Sequence, residues 1–244
     1  MPRPNDRTRV NSVANIKIKN NLLAITLIFT SMPPSVKVSK VLIEEICYAI
    51  GQNLSAGVDR PELGLTAVHC ATTLLQASLR VSPTSLSSTP VPSPVLQHVA
   101  LNLVSPLISF LAESVAAETA GNIAPLTLDG VKQVIKGLVG WTTGLPEESK
   151  PRGYAILLPT LALLLDQEAG QSSGLHLIAT TTMLGLAQTS PLSFKDATQA
   201  MQEEERGKLE KAIREAVGHK AQAEASACAS GGEAKKVISL RSFG

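Results

Sequence analysis

The stretch Gly153–Lys195, GYAILLPTLALLLDQEAGQSSGLHLIATTTMLGLAQTSPLSFK, decides the fold. It reads as an apolar helix, a short polar turn, a second apolar helix and a Ser-Pro turn into another helix. That is the grammar of an antiparallel helix hairpin of the kind that stacks into an α-solenoid. The same pattern extends in both directions. Val36–Leu54 carries a broad helical apolar face with Lys40, Glu44 and Glu45 outside it. Gly51 and Gly57 mark its end, and Pro61 opens the next helix, Glu62–Arg80. Helix resumes at Val95 toward Ala120, where Pro106 is expected to kink or break it. Thr127–Trp141 is a further helix, with Asp129 at its favourable N-terminal end.

Three pairs result, 36–80, 95–142 and 154–188. Pro159 is placed in the first turn or so of its helix. A last helix is read from about Phe194 to Val217. There Leu209, Ile213 and Val217 form one narrow stripe, and Glu204–Lys208 and Glu210–Arg214 are spaced as i,i+4 pairs. A helix wet on one face suits the end of an array. The expectation is an all-α, HEAT-like α-solenoid of antiparallel helix pairs with a C-terminal capping helix.

Composition agrees with this. Apolar residues make up 44% and aromatic residues only 3%, so Leu, Ala, Val and Ile must fill a closely packed helical interior. The net charge of +2 gives no field for nucleic acid. Cys47, Cys70 and Cys228 are too few for a disulfide framework, which points to a reducing compartment. Residues 1–35 read as an irregular or targeting-like N-terminus, because Leu22–Phe29 is a short apolar run behind Arg and Lys. The Pro/Ser-rich segment 81–94 is a linker inside the array 36–217. Residues 218–244 read as a disordered tail ending in a short peptide.

Catalytic equipment is sparse. Gly170–Gly174 matches G-x-S-x-G around Ser172, but a nucleophile elbow needs a preceding strand, and a leucine-rich helix stands there instead. His69, Cys70 and Cys47 lack metal-ligand spacing. No phosphate-binding glycine loop is present. The reading is therefore no enzyme, no cofactor and no metal site. The alternative is a soluble α-helical bundle enzyme or cofactor-binding protein, which would need polar residues converging from facing helices. The tail, with Val237, Ile238, Leu240, Arg241 and Phe243 between basic residues, is a candidate protein-docking peptide. An isolated array end is also expected to expose apolar surface on helices 36–54 and 60–80.

The last third of the chain resembles a known family. LLPTLALLLDQEAG, the helix LHLIATTTMLGLAQTSPLSFK, ERGKLEKAIREAV and the final KKVISLRSFG are similar to the C-terminal end of the HEAT repeat-containing protein 5 family, over Tyr154–Phe243. Its members are very long helical solenoids, so this chain lacks nearly all of their array. The resemblance implies a scaffold in endosome to trans-Golgi network traffic. It implies aftiphilin, gamma-synergin and the trans-Golgi/endosomal clathrin adaptor as partners. It also implies a cytoplasmic location on Golgi, endosome and vesicle surfaces, with membrane association only through partners.

Overall fold

The computed structural model describes residues 4–33, 36, 38–79, 94–165 and 174–229. The described residues form helices α1 (Pro4–Ser31), α2 (Lys40–Ser55), α3 (Pro61–Ser78), α4 (Pro94–Thr119) and α5 (Pro125–Gly144). They continue with α6 (Lys150–Leu163), α7 (Gly174–Thr189), α8 (Pro191–Ala200) and α9 (Glu203–Ala229). No strand occurs among them.

Proline sets most of the helix starts. Pro61, Pro125, Pro151 and Pro191 occupy the first or second position of α3, α5, α6 and α8. At that position the missing N–H is one the helix would leave unpaired anyway. α2 starts differently: Ser39 accepts a hydrogen bond from the Leu42 N–H at 3.2 Å, capping one orphan donor.

The helices form two layers. α3 packs mainly on α1 and α5, and α2 mainly on α4; further along, α6 packs on α8 and α7 on α9. Most of the helices therefore lie against a second neighbour as well as a first, which is how an α-solenoid propagates. α3 is the centre of the first half. Leu63, Ala67, Val68, Cys70, Ala71, Leu74 and Leu75 are all buried, because α1, α2, α4 and α5 surround it.

Close approach of α3 and α5 rests on small residues. Gly130, Gly137 and Gly144 recur every seven residues along α5, the first facing Phe110 of α4 and the other two facing the α3 side. A Cβ on Gly137 would stand 2.4 Å from Thr72 Cγ2, and one on Gly144 would stand 2.7 Å from Leu79 Cδ1. The backbone of α5 thus lies where a side chain would otherwise be. Pro106 sits inside α4 without ending it, and its ring packs by Gly51 of α2.

Several expectations are corrected. Residues 1–35 are not irregular over their described part: α1 presents Leu22, Thr26 and Phe29, at i, i+4 and i+7, to the α3 side. One side of the apolar run is thus buried against the array, while Leu23, Leu27 and Ile28 on the other side are exposed. Lys19 Nζ lies 3.6 Å from Glu62 Oε2, and Arg60 Nη1 donates to Asn15 Oδ1 at 3.4 Å, across the same contact. Pro159 lies well inside α6, because the helix starts at Lys150.

The single helix from Phe194 to Val217 is two, α8 and α9, divided at Met201–Gln202. The division lets Phe194 and Ala197 pack beside α6 while Leu209 and Ala212 bury at the other helix. Three glutamates, Glu203–Glu205, form the first turn of α9, where the helix dipole favours them. α9 also continues to Ala229, so the tail is helical over its first part. Linker residues 81–93 and residues 230–244 lie outside the described residues.

Tyr154 on α6 is wholly buried, and its hydroxyl has no hydrogen-bond partner among the described residues. A buried unpaired hydroxyl costs about 1–3 kcal/mol, so Tyr154→Phe is expected to raise stability by about 1 kcal/mol. A urea denaturation midpoint above that of the unsubstituted chain checks this. A lower midpoint would mean that the hydroxyl is held.

Candidate interaction surfaces

Among the described residues the side chains with metal-binding potential form no group of three or more. Of the Gly170–Gly174 motif only Gly174 is described, as the first residue of α7; Ser172 lies outside the described residues. Cys47 on α2 and Cys70 on α3 are both buried and free. Burial pushes the Cys47 thiol up to about 12, with Cys70 and Glu44 adding to the effect. Burial likewise raises Cys70, partly offset by a hydrogen bond with the Thr26 hydroxyl of α1. A thiol held neutral is neither a nucleophile nor a metal ligand at neutral pH, so these cysteines act as small apolar core residues. His69 is exposed, and its Nδ1 lies 2.7 Å from Gln133 Nε2, a link from α3 to α5. The tail residues Val237, Ile238, Leu240, Arg241 and Phe243 lie outside the described residues.

Two surfaces remain. The first is an open groove of about 400 Å³ lined by Ile108 of α4, by α6, and by Glu205 and Lys208 of α9. Its wall is mainly apolar, with Ala155, Ile156, Pro159 and Leu163 contributing. Pro159 has no N–H to donate to the Ala155 carbonyl, so α6 lacks that one i−4 hydrogen bond beside the groove. Lys208 Nζ pairs with Glu204 Oε1 at 2.9 Å at its edge, the i,i+4 pair expected from the sequence. Glu210 lies 4.0 Å from Arg206.

The second surface is the outer face of the array's first helices. Among the described residues, most of the exposed large apolar side chains lie on α1 and α2 or just before α2. They are Val13, Ile16, Leu23, Leu27 and Ile28, and then Val36, Val41, Leu42 and Tyr48. The expected apolar end therefore exists, but not on α3, whose face α1 covers. Sequence reasoning missed α1 as a surface because apolar residues stand on all its sides, so no single-face period emerges. At the opposite end α9 buries Leu209 and Ala212 and turns charge outward, as a terminal repeat does.

This architecture defines a helical-repeat solenoid, a class whose long faces recruit proteins. The chain belongs to the LAA1-like family: the description "LAA1-like, C-terminal TPR repeats" matches residues 40–226, which span α2 to most of α9. The repeats are thus described as TPR and not as HEAT. α1 falls before the matched region. No curated protein and no solved structure matches the chain. No helix of the described residues is long and apolar enough to cross a membrane.

Proposed function

We propose that this chain is a non-catalytic scaffold of clathrin-adaptor traffic between endosomes and the trans-Golgi network. By likeness to the HEAT repeat-containing protein 5 family, it holds aftiphilin, gamma-synergin and the trans-Golgi/endosomal adaptor at cytoplasmic Golgi, endosome and vesicle surfaces. The observation that carries the reading is the membership of residues 40–226 in the LAA1-like repeats. The helices support it by stacking in one direction, where a bundle enzyme would close around a polar pocket. The groove described above is mainly apolar and open, which suits a protein segment better than a small polar substrate. Within this reading the C-terminal peptide Val237, Ile238, Leu240, Arg241 and Phe243 is a docking element that engages protein through its apolar residues.

The test is a pull-down with the full chain, with aftiphilin, gamma-synergin and adaptor subunits as prey. The wild-type chain is expected to retain at least one of them, and Leu240→Asp with Phe243→Asp is expected to reduce retention about tenfold. If none is retained, the adaptor reading fails. If retention is unchanged in the double variant, the tail is not the docking element and the scaffold reading stands. The full chain is needed because removing residues 1–35 would strip α1 from α3 and expose its core face.

A further inference from the structure

α1 carries a second apolar face that is exposed among the described residues. Leu22, Thr26 and Phe29 are buried toward α3. On the opposite side Val13 is 50% exposed, Ile16 55%, Leu23 41% and Leu27 66%. With exposed Asn20 between them, these residues follow one another at intervals of three, four, three and four. That is the a/d spacing of a coiled-coil seam, two heptads long, with one polar residue at its centre. An apolar stripe of this length left in water favours packing against a second surface.

We propose that α1 is a dimerisation helix: two copies of this chain pack their α1 seams antiparallel about a two-fold axis at Asn20. The seam is self-complementary about that point. Antiparallel pairing sets Val13 against Leu27 of the second copy and Ile16 against Leu23. It also brings the two Asn20 side chains together, where each amide supplies a donor and an acceptor to the other. A single buried Asn in such a seam selects register and oligomer state.

Charge selects the direction. All five charged residues of α1, Asp6, Arg7, Arg9, Lys17 and Lys19, precede Asn20, and none follows it before Ser31. Parallel packing would lay one basic half on the other. Antiparallel packing lays each basic half along the uncharged half of the second copy. The seam from Val13 to Leu27 is only about 21 Å long, too short for an isolated coiled coil. Here α1 is already ordered on α3, so the helix-forming cost does not fall on the dimer contact. The proposal is independent of the adaptor reading, since it rests on α1, which lies before the matched repeats.

The experiment is the solution mass of the full chain by light scattering over a concentration series, followed by directed crosslinking. The expected result is a reversible dimer. Leu27→Glu, at an exposed position, should raise its dissociation constant at least about tenfold without loss of helicity. With Cys228→Ser as background, Asn20→Cys should crosslink to itself under mild oxidation. Val13→Cys alone should not, because antiparallel pairing holds the two copies about 21 Å apart, beyond the roughly 7 Å that a disulfide spans. Val13→Cys mixed with Leu27→Cys should give the cross-linked heterodimer. A monomer at every concentration overturns the proposal. So does a dimer indifferent to Leu27→Glu, or one in which Val13→Cys crosslinks to itself.

Discussion

Leu161→Asp is expected to unfold the second half of the array. Leu161 is completely buried in α6, within the apolar cluster that also holds Leu157, Leu158 and Leu164. Two costs combine. Losing the isobutyl group from a packed site costs about 2–5 kcal/mol. The carboxylate must then be buried without a partner or stay protonated, which adds several kcal/mol more. The sum, on the order of 5 kcal/mol or more, is comparable to the whole stability of a typical domain. Circular dichroism should show helix loss and a much lower thermal midpoint. Leu192→Asp is the matched control, because Leu192 is 77% exposed on α8 and should shift the midpoint little. A native-like melt for Leu161→Asp would mean that the α6 packing is wrong.

Gly64→Ala is expected to produce the second-largest loss, from a single added methyl. Gly64 on α3 faces Gly57 in the α2–α3 connection. A Cβ there would stand 2.6 Å from both the Cα and the carbonyl oxygen of Gly57. The obstacle is backbone, so no rotamer change relieves it. In an open helix Gly→Ala would stabilise by about 1 kcal/mol. Here overpacking of about 1–3 kcal/mol or more opposes that gain, and α3 must move away from the α2 connection. The net expectation is a loss of about 2 kcal/mol, read from urea unfolding. Gly185→Ala separates the two effects: nothing lies within 4 Å of its added Cβ, so it should stabilise or leave the midpoint unchanged. If both substitutions behave alike, the close approach of Gly57 and Gly64 is not present in solution.

The parts of the fold legible in the sequence were those with local causes. Ser-Pro and similar proline starts mark helices because proline fits a first turn and little else in a helix. Apolar periodicity over 36–54 and 60–80 gave α2 and α3 to within a few residues. The pair Glu204–Lys208 followed from i,i+4 geometry alone. Elements with non-local causes escaped. The break between α8 and α9 has no proline or glycine, and Phe194, Ala197, Leu209 and Ala212 keep one helical phase across it. Only the triple glutamate at Glu203–Glu205 hinted at a new helix start. α1 was hidden because its inner and outer faces are both apolar, so it resembled a leader segment more than an amphipathic helix. The seven-residue glycine spacing of α5 is visible in the sequence. Its meaning depends on Thr72 and Leu79 lying opposite.

By itself the sequence determined that this chain is helical and that its interior is aliphatic. It did so through short-range physics: turn residues, periodicity and charge spacing act within a few positions of one another. Tertiary structure decided the rest. It made α3 the covered centre, placed the apolar run of α1 against it, and kept Cys47 and Cys70 neutral by burial. It also left the Val13–Leu27 seam facing outward. Those outcomes depend on which helix lies against which, and that choice is set by the fit of whole faces across long sequence separations.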